Sequence, residues 1–64
     1  MVVKDTHLIG KQVELIYMKD EPQMEKGLKG VIVFIDDMNH YHVKWDNGSG
    51  LSLLPNEDKF NILN

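Results

Sequence analysis

The sequence predicts an all-β fold, a small barrel of five short strands, and three observations carry that prediction. Residues 31–35, Val-Ile-Val-Phe-Ile, are β-branched or aromatic throughout, a composition that suits a pleated strand better than a helix. Residues 40–46 alternate, with Tyr41, Val43 and Trp45 on one side and His40, His42, Lys44 and Asp46 on the other. That is the period of a strand with one buried and one wet face. Asp46-Asn47-Gly48 follows at once, the strongest short hairpin signal in the chain.

Composition supports the same class. The chain has 64 residues and no alanine, and only residues 11–18 and the last dozen hold a helix-compatible pattern. One domain spanning 1–64 is expected, with 1–9 as a lead-in segment. A core of this size rarely supplies more than about 3–5 kcal/mol, and the absence of cysteine removes disulfides and thiolate metal sites as staples. The net charge is −3, and all seven basic residues are lysine. Nucleic-acid readers lean on arginine for bidentate contacts, so that partner class is disfavoured. No apolar run reaches membrane length and the N-terminus carries no signal-peptide apolar region. A cytoplasmic location with no membrane contact is the expectation.

The elements follow in order. Residues 12–18 form a first strand, with Val13, Leu15 and Tyr17 inward and Glu14, Ile16 and Met18 outward. Residues 19–26 are polar, contain Pro22 and form a long loop, the kind of segment that carries binding. Gly27 and Gly30 mark a tight turn and a close backbone approach. In the second strand Val31, Val33 and Ile35 face the core and Ile32 and Phe34 face out. Asp36-Asp37-Met38-Asn39 is a turn. After Trp45 the register is decided by burial. A three-residue loop, Asp46-Asn47-Gly48, sets Val43 against Leu51 and Tyr41 against Leu53. A two-residue loop would turn both leucines to the wet face. Gly48 is then the left-handed residue. Residues 55–58 read as one helical turn opened by Pro55, and Phe60 and Ile62 alternate in a last strand. This element order is that of an SH3-like five-stranded barrel with one short helical turn before the last strand, which limits exposed edges in a chain this small.

A family resemblance rests on specific positions: Gly10, Val13 and Leu15; Met18 and Asp20; Gly27 and Gly30; Val33, Asp36 and Asp37; His42-Val43, then Trp45-Asp46-Asn47-Gly48; and Leu53, Pro55, Asp58 and Phe60. From Gly10 onward the chain resembles an uncharacterised family of small SH3-like proteins from Gram-positive bacteria, their phages and mobile elements. One departure is Glu21 between Asp20 and Pro22, where members often place Asp and Pro together. The resemblance implies a fold and a setting but no activity, and fold alone does not imply function. The groove of signalling SH3 domains for proline-rich peptides needs an aromatic cluster on the long loop, and residues 19–26 have none.

Candidate sites are few. His40 and His42 form a His-x-His pair, a metal-binding pattern, with Glu14 or a turn aspartate as a third ligand. No closed ligand set is visible, and two solvent-facing histidines account for the pattern. Asp36, Asp37 and Asp46 suit acid–base work only if buried together; turn chemistry accounts for them more simply. Trp45, a candidate cage residue with Tyr41 and Tyr17, falls with the core positions. Lys26, Lys29, Lys44 and Lys59 are scattered among acids and read as a mixed surface.

The outward Ile32 and Phe34 are the most informative feature. With Met24, His42 and Lys44 they make the candidate partner-binding surface, and Ile16 and Met18 extend it. The competing account has Val2, Val3, Leu8 and Ile9, or Met24, folding over them. The expected function is a non-enzymatic protein-interaction or inhibitory accessory module. It engages a protein partner or its own copy, and a phage anti-defence role suits the family setting. The alternatives are a nucleic-acid-associated barrel that contacts backbone and an oligomeric protein binding a small ligand such as a nucleotide. No cofactor is expected.

Overall fold

The computed structural model describes residues 5–63. It is all-β, with β1 (Gln12–Tyr17), β2 (Lys29–Ile35), β3 (Tyr41–Trp45), β4 (Ser52–Leu53) and β5 (Lys59–Ile62), preceded by a 3-10 turn at Thr6–Leu8. The strands form one antiparallel sheet in the order β4-β3-β2-β1-β5. β1 to β4 thus make a meander, and the last strand returns to pair with the first. β4 and β5 stand at the two ends of that order.

The core lies on one face of this sheet. Val13, Leu15, Ile32, Ile35, Trp45 and Leu53 are fully buried, and Tyr41 and Val43 nearly so. Every inward position of β3 is one that the alternation predicts. Trp45 is a core residue whose indole Nε1 donates to the Leu51 carbonyl at 2.9 Å, so its one polar group is satisfied. Phe60 packs edge-on against Tyr41, ring centroids 5.7 Å apart.

The hairpin register follows burial. Tyr41 pairs with Leu53 and His42 with Ser52, and Trp45 N–H reaches the Ser49 carbonyl at 3.4 Å. Residues 46–48 are therefore the loop, with Gly48 at φ 87°. Gly27 lies at φ 91° and its N–H donates to the Leu15 carbonyl, which brings the chain from the long loop back onto β1. Gly30 is the close approach. A Cβ there would stand 2.7 Å from Val43 Cγ1 and 2.8 Å from the Lys44 carbonyl oxygen.

Two bulges overturn part of the predicted facing. In the β2–β3 ladder Ile32 pairs with Val43 and Phe34 with His42, so Val33 is an extra residue without an opposite number. The strand's phase shifts by one across it. Ile32, predicted to face out, is wholly buried. Val31 and Val33, predicted to face in, are exposed. Phe34 faces out and Ile35 in, as predicted. The β1–β5 ladder slips between Leu15 and Tyr17. Tyr17 thereby turns to solvent and Met18 into the core, the reverse of the prediction for both. Met24 of the long loop is also buried, so it closes the core.

Residues 55–58 make the single hydrogen-bonded turn expected before the last strand, with no helix beyond it. Glu57 and Asp58 N–H both donate to the Leu54 carbonyl, and the Asp58 carboxylate accepts from Leu54 N–H at 2.9 Å. The expected covering role of Val2 and Val3 lies outside the described residues.

Candidate functional site

The outward face of β2 and β3 is built row by row. Val31 stands opposite Lys44, and Phe34 opposite His42; on the far side of β2, Gln12 pairs with Val31 and Glu14 with Lys29. Phe34 is 52% exposed and the bulged Val33 53%. The Phe34 and His42 rings meet edge to face with centroids 5.5 Å apart. The result is a small apolar surface in the middle of the sheet, bordered by Lys44 and Lys29.

The turn after β2 holds this face rigidly at one end. Asp36 Oδ1 accepts from the N–H groups of Met38 and His40 at 2.9 and 3.0 Å, the aspartate turn its position predicts. Asp36 Oδ2 lies 3.0 Å from His42 Nε2, where the imidazole N–H donates to the carboxylate. The His40 N–H first, and His42 next, lower the Asp36 carboxyl to about 2.

A second network ties the lead-in to the same turn. Asp5 Oδ2 accepts from Tyr41 Oη at 2.5 Å and from Asn39 Nδ2 at 3.1 Å, while Asn39 Oδ1 accepts from Asp5 N–H at 3.2 Å. Asn39 sits at φ 62°, a region asparagine tolerates. Burial, followed by the hydrogen bond to Asp5, raises Tyr41 to about 12. Tyr41 in turn holds the Asp5 carboxyl below its ordinary value.

Clefts lie apart from this face. One of about 320 Å³ lies between the turns, lined by Met38, His40, Pro55 and Glu57 among others. One of about 400 Å³ is lined by the long loop, Leu28 and Asn47.

Of the predicted partner-binding residues, Phe34, His42 and Lys44 share the outward face. Ile32 and Met24 do not, because both are buried in the core. Met18 is likewise buried, so it cannot extend the patch. Val31 and Val33 join the face instead; nothing in an unbroken apolar run signals the bulge that turns them outward. His40 lines the cleft between the turns, whereas His42 is engaged by Asp36. Among the described residues no three His, Cys, Asp or Glu side chains converge on a metal-sized centre. No helix among the described residues is long and apolar enough to cross a membrane. The Asp5 network was not legible, since it joins residues more than thirty positions apart.

No curated protein and no solved structure matches the chain. The family model described as "Domain of unknown function (DUF4314)" matches residues 1–63, and the chain belongs to that family.

Proposed function

From membership of a family to which no function is attached, we propose that the chain is a non-enzymatic module that docks a protein partner on the outward face of β2 and β3. The observation that carries this is Phe34, half exposed in the middle of the sheet beside the exposed Val31 and Val33. Contiguous apolar side chains on an outward sheet face favour a partner site, because leaving them in water forgoes burial. The flanking Lys44 and the Asp36-anchored His42 add polar definition at the rim. A bacterial, phage or mobile-element setting and a cytoplasmic location complete the proposal, in keeping with the cysteine-free composition; an inhibitory accessory role fits such a setting.

The test is capture of partners from host lysate by the tagged chain, with nuclease treatment and with Phe34→Asp alongside. A near-stoichiometric protein that survives nuclease and is lost with Phe34→Asp supports the reading. Recovery of the same protein with both forms overturns it.

A second reading, a barrel that contacts nucleic-acid backbone, is favoured by one feature: an aromatic pair, Phe34 and His42, next to Lys44. Aromatic faces beside cations are how single strands are held. Its signature is nuclease-sensitive material whose binding falls steeply with salt.

A further inference from the structure

Resting on the docking face just proposed, we infer that its occupant is an acidic protein segment with apolar anchors. The basis is a separation of charge between the sheet and its connections. The strands hold three lysines, Lys29, Lys44 and Lys59, against one glutamate, Glu14. Among the described residues the other nine acids and three lysines lie outside the strands. Within a chain of net charge −3 the strands thus carry an excess of two positive charges, and it is the local potential that a docking segment meets. The Asp36 carboxylate reaches the rim of the face at His42, so the positive potential there centres on Lys44.

On the face itself, Glu14 already stands opposite Lys29. Lys44 has Val31 opposite it instead of an acid. A segment that lays an apolar side chain on Phe34 and Val33 therefore brings its neighbouring positions over Lys44, where a carboxylate is the complementary group. Lysine stems pack on apolar surface while their heads stay wet, so at such a position one cation serves both the apolar and the charged contact.

A nucleic acid would also supply negative charge, but as a continuous line of phosphates. Asp36 and Asp37 follow the end of β2, and Asp46 follows the end of β3 at the opposite end of the pair. A backbone running along these strands would meet acids at both ends, and there is no arginine to fork a phosphate. A protein segment with one or two carboxylates in mid-face avoids that repulsion.

The experiment follows the backbone amides of ¹⁵N-labelled chain during three titrations: a short acetylated peptide alternating leucine and glutamate, its counterpart alternating leucine and lysine, and an oligothymidylate. The glutamate peptide is expected to shift Val31, Val33, Phe34 and Lys44. Lys44→Glu is expected to weaken it about ten-fold and to favour the lysine peptide, as charge reversal at a docking rim does. Preference of the unmodified face for the lysine peptide would overturn the acidic partner and leave the docking face standing. Shifts of the same amides by the oligothymidylate would overturn it in favour of nucleic acid. Silence toward the glutamate peptide at about 1 mM, the weak end of useful affinity, would overturn it too; the docking reading would then stand or fall on the separate Phe34→Asp capture.

Discussion

Single residues set the tightest constraints. Gly30 leaves no room for a side chain, since a Cβ would meet Val43 and the Lys44 carbonyl inside contact distance. Gly30→Ala is expected to destabilise by about 1–3 kcal/mol, the usual cost of overpacking, as a lower urea midpoint with an unchanged slope. Asp36 makes an acid-range prediction. Its folded carboxyl is lowered from 3.8 to about 2, so the stability it contributes is complete above pH 3.8 and is lost as pH falls towards 2. Asp36→Asn should remove that part of the acid dependence, read from unfolding midpoints across this window. Tyr41 works in the alkaline range. Raised from 10 to about 12, it contributes stability that is complete below pH 10 and lost as pH rises through that interval. Tyr41→Phe should flatten this alkaline fall and cost about 1 kcal/mol near neutrality for the lost bond to Asp5. Trp45 was legible because its neighbours alternate; the Asp5 partnership was not, because it is a contact between distant parts of the chain.

At the scale of elements, β3 and its hairpin were read from sequence with their facing, whereas β2 was read as a strand but the facing of Val31, Ile32 and Val33 was not. β3 carries polar residues between its apolar ones, so its phase is visible. β2 runs Val31 to Ile35 without a polar residue, so either phase satisfies the pattern, and the Val33 bulge uses both. The turn at residues 46–48 was legible because a slip of one residue would have exposed Leu53. The end of β1 was misread for the same reason as β2: Ile16, Tyr17 and Met18 are all apolar or aromatic, and the bulge picks Met18 for the core. This facing makes a paired prediction. Val33→Ser should change stability by no more than about 0.5 kcal/mol. Ile32→Ser one residue away should cost about 3 kcal/mol or prevent folding, as removal of a buried side chain does. Similar effects at both positions would contradict the bulge.

At the scale of the whole molecule, a core of ten buried apolar residues among those described coexists with an outward face that keeps Val31, Val33 and Phe34 in water. The all-β class and the order of the elements were legible because turns and alternation mark them. The make-up of the outward face was legible only in part: Phe34, His42 and Lys44 do lie on it, whereas Ile32 and Met24 went to the core. The excess of lysine over acid within the strands could not be read from the net charge, because the acids are concentrated in the connections. The central claim is that this face, and not another exposed apolar position, takes the partner. The most direct measurement compares partner capture by Phe34→Asp with capture by Tyr17→Asp and Met38→Asp, two sites elsewhere that are at least as exposed, after each variant is shown to be folded. Phe34→Asp alone is expected to abolish capture. Full capture by Phe34→Asp, with loss in either of the others, would contradict it.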